Sequence, residues 1–462
     1  MRIELSIPFL GKEIASTLAL PTPPLSPPYI HAVCTDSREL REGDLFVDLI
    51  GDVFHQKEAS GLAALLLCPY ALDAPWKSKA LYVPETVDAL LTLASVYSRS
   101  FSCRKIAITG SVGKTTVKEY AHAVLSSAYK TQKTHGNFNN FIGVAYTLFS
   151  LRQDTEFLVL EAGMNHKGEL RRLSEAIRPD DVIITNVKDA HVGNFKAPEE
   201  LRDAKLEILE SVSSDARVFI DKDSPLLQDL DLSQTCISVG TNASADYRAH
   251  AIRLKHDGSV YDLQMPSGEL RALQIPSYGA HTAVSSAFAV AYGVEAGISE
   301  EAIRRGLMEF SPPPMRQELI RTDFGFFLIL DCSNASPSAT CTSLSLSVQM
   351  ARNEGHEASA LLGTIGELGS SAKEAHYTVG KEAARIGIRY LFAFGEYRED
   401  YAKGAIEAGM SKDRILLFEA PDAACAEAVR ARMRDGEFLL IKASRAERAE
   451  RILPFFLKNR ES

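Results

Sequence analysis

The sequence predicts an α/β protein with three domains, and three observations support that fold class. The chain has 462 residues, enough for about three domains of roughly 150 residues each. From residue 104 onward, short apolar runs alternate with segments of helical periodicity, the pattern of a parallel sheet covered by helices. The pattern changes near residue 100 and again at a proline-rich segment, 311–315. We therefore predict a small N-terminal α/β domain at 1–100, a central parallel sheet of the P-loop ATPase type at 101–312 and a C-terminal Rossmann-like domain at 313–462.

Three apolar runs predict the strands of the first domain. "GDLFVDL" (43–49) follows a turn, and "GLAALLLC" (61–68) and "KALYVP" (79–84) lie beside helical segments. The proline-rich "PTPPLSPP" (21–28) is interpreted as a loop rather than as a polyproline ligand.

Eight further runs predict the strands of the other two domains. Beside these runs, a helix is expected at 114–129, the alternating segment 246–275 around "HDGS" predicts a β-hairpin, and a helix pair is expected at 281–309. The eight runs are short and apolar, which is typical of buried parallel strands. They are "KIAITG" (105–110), "EFLVLEAG" (156–163), "DDVIITN" (180–186), "ARVFID" (216–221), "FFLILD" (326–331), "SALLGTI" (359–365), "RYLFAFG" (389–395) and "EFLLIKAS" (437–444).

The composition excludes several classes of protein. The net charge is −9 and the pI is about 5.8, so we expect no basic surface for nucleic acid or for an anionic membrane. No apolar run reaches the roughly 18 residues of a membrane span, and the N-terminus lacks the apolar core of a signal peptide. The seven cysteines are odd in number and form no CxxC pair. These features favour reduced thiols and a cytoplasmic location.

The stretch "KIAITGSVGKTT" (105–116) predicts a phosphate-binding loop between a strand and a helix. Glycines let the backbone approach a phosphate, and N–H groups at the start of the helix point at it. Lys114 would neutralise phosphate charge, and the Thr115 hydroxyl is suited to Mg²⁺. The strict GxxxxGK[ST] pattern fails because Ile108 stands five residues before Gly113, so an ordinary glycine turn is the alternative. The predicted ATP-binding residues here are Gly110, Ser111, Val112, Gly113, Lys114, Thr115 and Thr116.

Two more candidate site residues follow predicted strands. Glu161 ends "EFLVLEAG" and His191 lies just beyond "DDVIITN", and ligands bind at the carboxyl ends of strands in such sheets. A carboxylate and an imidazole beside a phosphate loop suit a metal or a phosphoryl group. A strand-end carboxylate and a loop histidine without function are the alternatives. Lys205, in the amphipathic "LRDAKLEILESV" (201–212), is by its position alone a solvent-exposed helix lysine.

Several motifs occur in the order and approximate spacing of one family. They are "TGSVGKTTVKE", "THGNFNNFIGVAYTL", "EAGMNHKGEL", "NVKDAHVGNF" and "AKLEIL". On these motifs the chain resembles the Mur ligases of peptidoglycan precursor synthesis, over almost its whole length. It is most similar to the branch that adds D-alanyl-D-alanine to UDP-N-acetylmuramoyl-tripeptide, because it contains "GNFNNFIGV", "TDSRELREGDLFVDLIG", "NASP", "GTIGELG" and "IKASRAERAERIL".

The resemblance implies ATP and two Mg²⁺ as cofactors. One Mg²⁺ would lie between Thr115, Glu161 and the β- and γ-phosphates, and the second would be held by Glu161, His191 and Lys205. In the family the lysine matching Lys205 carries a CO2-derived carbamate, which turns a cation into an anionic ligand. The implied catalytic residues are Lys114, Glu161, His191 and Lys205.

The resemblance also implies contacts for the nucleotide and both substrates. Further ATP contacts are Asn137, His281, Arg316 and Asp331. The N-terminal element with Ser37 and Arg38 would hold the UDP-sugar. Other implied substrate residues lie in the asparagine-rich loop and the third domain: Asn139, Asn140, Asn334, Lys442, Ser444 and Arg445.

In the implied reaction, the tripeptide carboxylate attacks the γ-phosphorus of ATP to give an acyl phosphate and ADP. The amine of D-alanyl-D-alanine then attacks the acyl carbon and phosphate leaves. UDP-N-acetylmuramoyl-tripeptide and D-alanyl-D-alanine are thus the expected partners of a monomeric enzyme. The alternatives are a ligase adding the third residue, although no DNPR element occurs, a folylpolyglutamate-type synthetase, and a catalytically silent sensor of wall precursors.

Four motifs depart from the family pattern. The expected GxHN is "GAHT" at 279–282, DDSYNANP appears as "LDCSNASP", KGSR as "KASR", and "DVFHQKEA" lacks the usual DGH. These changes leave the adenine and uridine contacts open but retain the phosphate and metal motifs. The third residue of the tripeptide, meso-diaminopimelate or L-lysine, is also left open.

Overall fold

Helices and strands form three successive sheets in the computed structural model, which confirms the α/β fold class. The structure describes residues 1–24, 29–50, 62–70, 76–188, 195, 197–228, 230–255 and 257–457. Within these residues, no helix combines the length and the apolar composition needed to cross a membrane. Each of the seven cysteines lies in the described residues, and none of them is part of a disulfide.

Within the described residues, the first sheet has five strands in the order β1-β2-β3-β4-β5. Strand β1 runs antiparallel to β2, and the remaining pairs are parallel. The predicted strands correspond to β3, β4 and β5, whereas β1 and β2 were not predicted. The bounds are β1 (Arg2–Leu10), β2 (Tyr29–Cys34), β3 (Leu45–Val47), β4 (Leu65–Cys68) and β5 (Ala80–Tyr82), with helices α1 (Gly11–Thr17) and α2 (Thr86–Ser98).

In the part of the central domain that the structure describes, the second sheet has nine strands in the order β14-β13-β12-β11-β10-β9-β6-β8-β7. Strands β6 to β12 are parallel, and β12, β13 and β14 are antiparallel neighbours. The bounds are β6 (Arg104–Thr109), β7 (Thr131–Lys133), β8 (Phe157–Glu161), β9 (Asp181–Ile184), β10 (Arg217–Asp221), β11 (Thr235–Gly240), β12 (Tyr247–Lys255), β13 (Gly258–Met265) and β14 (Gly268–Ile275).

Helices cover both faces of this sheet, and one helix and the predicted hairpin differ from the prediction. The helix expected over 201–212 ends at Leu206, and a short 3₁₀ turn (Glu207–Leu209) follows it. The segment predicted as one hairpin has three strands, because "PSG" (266–268) makes a second turn. The helices are α3 (Lys114–Ser126), α4 (Phe141–Phe149), α5 (Glu169–Ile177), α6 (Pro198–Leu206), α7 (Ala280–Glu295) and α8 (Glu300–Met308).

The third sheet has six strands in the order β15-β16-β20-β17-β18-β19. Only the edge pair of β15 and β16 is antiparallel. The four predicted strands correspond to β16, β17, β18 and β20. The bounds are β15 (Glu318–Arg321), β16 (Phe327–Leu330), β17 (Ala358–Leu362), β18 (Leu391–Phe394), β19 (Ile415–Phe418) and β20 (Phe438–Lys442), with α9 (Pro337–Asn353), α10 (Ala372–Ile386), α11 (Arg398–Glu407) and α12 (Ala423–Arg430).

Buried packing fixes where the cleft lies. Strand β6 is in the interior of the central sheet, and its Ile106 and Ile108 are fully buried. On one face α3 packs against α7 and α8, and Tyr120 stacks on Phe310 with ring centroids 3.6 Å apart. The carboxyl end of β6 and the start of α3 are thereby held in a rigid frame, next to the segment that leads into the third sheet.

Candidate active site

A phosphate-binding loop connects β6 to α3, and β9 holds it in place. The N–H of Val112 donates to Asn186 Oδ1 at 2.9 Å, and Asn186 Nδ2 donates to the Val112 carbonyl at 2.9 Å. The Thr185 hydroxyl donates to the same carbonyl at 2.7 Å. Because both residues follow directly on β9, the loop cannot shift independently of the sheet.

Glycine is required at the first position of this loop. Gly110 has φ = +141°, and a Cβ there would lie 2.1 Å from Thr185 Oγ1. Gly113, with φ = +88°, caps α3. L side chains rarely adopt these conformations, so the glycine pattern in the sequence has a direct structural cause.

Lys114 begins α3 and folds over the loop. Its Nζ donates to the carbonyls of Gly110 at 2.7 Å and Ser111 at 3.2 Å. Burial lowers the pKa of this ammonium, while Glu161 opposes the shift. A cation with several backbone N–H groups at a helix start is a binding site for an anionic group such as a phosphate.

Glu161 presents a carboxylate at the end of β8, beside Thr115. The side chain is 1% exposed. Its Oε1 accepts from the Thr115 hydroxyl at 3.1 Å and from Asn139 Nδ2 at 2.9 Å. Among the described residues, Oε2 has no hydrogen-bond partner. A buried carboxylate oxygen without a donor, next to a hydroxyl and an amide, fits a divalent cation with oxygen ligands.

Lys205 lies near the end of α6 and is 1% exposed. The solvent-exposed position that its helix alone indicated is therefore wrong. Its pKa falls well below the usual value because of burial and the nearby charge of Lys114. No hydrogen bond or ion pair joins Lys205 Nζ to another part of the chain that the structure describes. The next turn is anchored by Glu207, which accepts from the Gly168 N–H at 3.0 and 2.8 Å. His191 lies outside the described residues.

Arg316 reaches the phosphate loop from the segment before the third sheet. Its Nη2 donates to Thr115 Oγ1 at 3.1 Å. The flanking residues Met315 and Gln317 have φ of +58° and +52°, a region that non-glycine residues rarely adopt. The strained backbone directs the guanidinium across the cleft.

A buried ion pair lies at the start of the third sheet. Asp331 Oδ2 accepts from Lys442 Nζ at 2.7 Å and from the Ser343 hydroxyl at 2.6 Å. These contacts lower the pKa of Asp331 against the opposing effect of burial. His281 lies in the same cleft, contacts Gln317 through Nε2, and has its pKa lowered to about 4 by burial.

The other predicted residues have varied surroundings. Asn140 Oδ1 accepts from the Gly143 N–H at 2.9 Å and so caps α4. Asn334 Oδ1 accepts from Ala335 N–H at 2.9 Å, and Ser444 Oγ accepts from Gly366 N–H at 2.7 Å. Arg445 pairs with Glu450.

Ser37 and Arg38 are in the first domain, in a short 3₁₀ turn that Asp36 caps. Arg38 is 84% exposed and donates to Asp36 Oδ2 at 2.6 Å. Neither residue lines the cleft between the second and third sheets.

One cleft of about 980 Å³ joins most of these side chains. Sequence analysis missed several lining residues, including Asn186, Asp221 and Glu367. Asn186 stood at the end of a predicted strand, which was the available signal. The predicted residues that line the cleft are Ser111, Val112, Gly113, Lys114, Thr115, Thr116, Asn137, Asn139, Glu161, His281, Arg316, Asp331, Asn334, Lys442 and Arg445.

Two family models match the chain. The Mur ligase middle domain matches residues 108–293, and the Mur ligase, glutamate ligase domain matches residues 315–445. The chain is 33% identical over 460 residues to the UDP-N-acetylmuramoyl-tripeptide--D-alanyl-D-alanine ligase of Bacillus subtilis, with 98% of each protein covered.

Solved structures share the whole fold. MurF from Acinetobacter baumannii has a TM-score of 0.86 at 23% identity, covering 99% of this chain and 100% of that chain. MurF ligase from Thermotoga maritima in complex with ADP has a TM-score of 0.81 at 24% identity, covering 92% and 97%. The similarity therefore includes all three sheets.

Proposed function

Because this chain belongs to the Mur ligase family, we propose that it is an ATP-dependent ligase joining D-alanyl-D-alanine to UDP-N-acetylmuramoyl-tripeptide. The products are UDP-N-acetylmuramoyl-pentapeptide, ADP and phosphate, so the reaction belongs to peptidoglycan precursor synthesis and, through it, to cell division. One observation carries the proposal. Thr115 donates to Glu161 and accepts from Arg316, so the loop, the carboxylate and the third domain meet at one hydroxyl.

The loop residues bind and orient the nucleotide. Lys114 would exchange its two loop carbonyls for phosphate oxygens, and the loop N–H groups would donate to the same phosphates. Arg316 is suited to a terminal phosphate because a guanidinium donates in a fixed fork. Attack of the tripeptide carboxylate on the γ-phosphorus brings like charges together, and these cations offset their repulsion. The acyl phosphate so formed is then attacked by the dipeptide amine.

Thr115 and Glu161 have the chemistry to hold Mg²⁺, and Glu161 Oε2, which accepts no hydrogen bond among the described residues, supports this assignment. His191 and Lys205 would complete a second site. When bound, the metal ions supply positive charge next to the transferred phosphoryl group. Glu161 and Thr115, both buried, would hold that charge beside the loop.

We propose further that Lys205 carries a carbamate. A buried amine without an anionic partner in the described part of the chain is costly, and a second lysine, Lys114, lies near it. Attack of the neutral amine on CO2 forms an N–C bond and releases one proton to solvent, which leaves an anion with two acceptor oxygens. That anion would pair with Lys114 and could ligate a cation.

Each domain has a separate binding role in this proposal. The N-terminal domain (1–100), with Ser37 and Arg38, would hold the UDP-sugar. The central domain (101–312), with Asn137, Asn139, Asn140 and His281, would hold ATP and the tripeptide carboxylate. The third domain (313–462) would bind the dipeptide through Asn334, Lys442, Ser444 and Arg445, with Asp331 near the nucleotide. Segment 311–315 is the proposed hinge for closure of a monomeric, cytoplasmic enzyme.

A coupled ADP-release assay tests the proposed function. ADP should form only when UDP-N-acetylmuramoyl-tripeptide and D-alanyl-D-alanine are both present, with the pentapeptide detected by mass spectrometry. Turnover with UDP-N-acetylmuramoyl-dipeptide and either diaminopimelate or L-lysine would instead identify a ligase that adds the third residue. Turnover with a folate and glutamate would identify a folylpolyglutamate-type synthetase. ATP binding without turnover on any pair would identify a sensor. Lys114→Ala is the inactive control.

A further inference from the structure

Lys118 is a fully buried lysine on the helix that follows the phosphate loop. Its exposed fraction is 0%. It lies four residues after Lys114, so both side chains are on the same face of α3. A buried ammonium is costly unless it is paired, so its partners indicate what it does.

The Lys118 ammonium contacts three groups that belong to different segments. Its Nζ lies 3.0 Å from Glu119 Oε1 and 3.7 Å from Glu161 Oε2, and it donates to the carbonyl of Gly136. Glu119 in turn pairs with Lys133. The four charged side chains therefore alternate in sign from Glu161, at the cleft, to Lys133, at the surface.

These contacts connect Glu161 with the asparagine-rich segment 134–140. Oε2 of Glu161, which has no hydrogen-bond donor among the described residues, faces the Lys118 ammonium. Oε1 accepts from Asn139 Nδ2, and Lys118 holds the same segment through Gly136. The Lys118 ammonium thus faces the carboxylate and also holds the segment that supplies Asn139, one of the two donors to Oε1.

We propose that Lys118 is a positioning residue that aims the Glu161 carboxylate and the 134–140 segment at the cation bound beside the phosphate loop. This inference rests on the proposed cation site but not on the identity of the two substrates. Lys118 is fully buried and does not line the cleft, so it acts through Glu161 and Gly136. Groups that orient a ligating side chain typically change metal affinity by roughly 10- to 100-fold when they are removed.

The experiment compares Lys118→Met with Lys133→Met. Lys133 belongs to the same charge network, but it is 32% exposed, and Glu119 is its only ion-pair partner among the described residues. Mn²⁺ binding to the ADP-bound enzyme is measured by electron paramagnetic resonance, and amide hydrogen exchange is followed over 134–140. We expect Lys118→Met to weaken Mn²⁺ binding roughly 10- to 100-fold and to accelerate exchange in this segment. Lys133→Met should bind Mn²⁺ within about twofold of the parent protein.

A lower melting temperature of Lys118→Met with unchanged Mn²⁺ affinity would overturn the proposal, because a purely structural lysine predicts that result. If Lys118→Met does not fold, the double variant Lys118→Met with Glu119→Gln is used, because it also removes the Glu119 charge that the single substitution leaves without Lys118. Weaker Mn²⁺ binding by the double variant would support the proposal, and unchanged Mn²⁺ binding would overturn it. Mn²⁺ binding needs neither the UDP-sugar peptide nor the dipeptide. A failure of the proposed ligase activity would therefore leave this measurement interpretable.

Discussion

Replacing Gly110 by alanine tests whether the phosphate loop depends on a close approach that only glycine allows. A Cβ at Gly110 would lie 2.1 Å from Thr185 Oγ1 and 3.1 Å from Asn186 N. Gly268, at the turn between β13 and β14, has almost the same φ, +142° against +141°. Nothing lies within 4 Å of a Cβ built at Gly268. Gly268→Ala is therefore a matched control for backbone strain.

The expected magnitude follows from the difference between these two sites. Both variants place alanine in a backbone region that costs about 1–3 kcal/mol. Only Gly110→Ala also forces Thr185 away from the Val112 carbonyl, which it reaches at 2.7 Å, with a further loss of about 1 kcal/mol. The catalytic effect should be larger, because a displacement of about 1 Å at such a site reduces the rate roughly 100-fold.

The assays are urea unfolding for the free energy and ADP release for kcat/KM with ATP. We expect Gly110→Ala to be the less stable variant by about 1 kcal/mol and to lose roughly 100-fold in kcat/KM. Gly268→Ala should retain the activity of the parent protein. If Gly110→Ala kept full activity and matched Gly268→Ala in stability, the close contact would not constrain the loop and the reasoning would be refuted.

Three other substitutions test further parts of the site. Arg316→Ala should lower kcat/KM for ATP roughly 30-fold, because it removes a charged hydrogen bond of about 2 kcal/mol. The control Arg321→Ala, at a side chain that is 66% exposed, should leave kcat/KM unchanged. Equal effects of the two substitutions would contradict the role of Arg316. Burial raises the pKa of Asp221 to about 6 from 3.8, so ionisation of this carboxyl destabilises the folded state as pH rises from about 4 to 6. Asp221→Asn should therefore raise the free energy of unfolding by about 3 kcal/mol at pH 7.5 and by almost nothing below pH 4. A gain that does not depend on pH in thermal unfolding would exclude this cause. CO2-depleted buffer should lower ADP release by the parent enzyme, and added bicarbonate should restore it. Lys205→Ala should be inactive with and without CO2. Full activity of this variant would exclude the carbamate.

The sequence predicted the buried parallel strands well because their signal is local. Runs such as "IAIT" in β6 and "VII" in β9 are apolar on both faces, and this pattern requires a sheet covered on both sides. Strands β1 and β2 were missed because they pair antiparallel across an intervening helix and loop. Their burial depends on that distant pairing rather than on a continuous apolar run.

The candidate site was predicted in composition but not in its contacts. Asn139 and Asn140 are adjacent and chemically identical, yet one donates to Glu161 and the other caps α4. Lys118 and Lys205 appear as ordinary helix lysines in the sequence, and only the packing of other segments around them makes them buried. Burial of a long charged side chain is a property of the assembled fold, so helical periodicity alone does not indicate it.

The strained segment around Arg316 has a consequence for inhibition. Its guanidinium contacts Thr115, and the cleft is lined by residues of both the second and the third sheet. A compound that fills this cleft interacts with both domains at once, so its affinity depends on their relative orientation. By thermodynamic reciprocity, that compound biases the orientation to the same extent. Small molecules that bind this cleft would therefore stabilise one relative orientation of the two domains. Their affinity should vary with the sequence of segment 311–315 as well as with the residues that line the cleft.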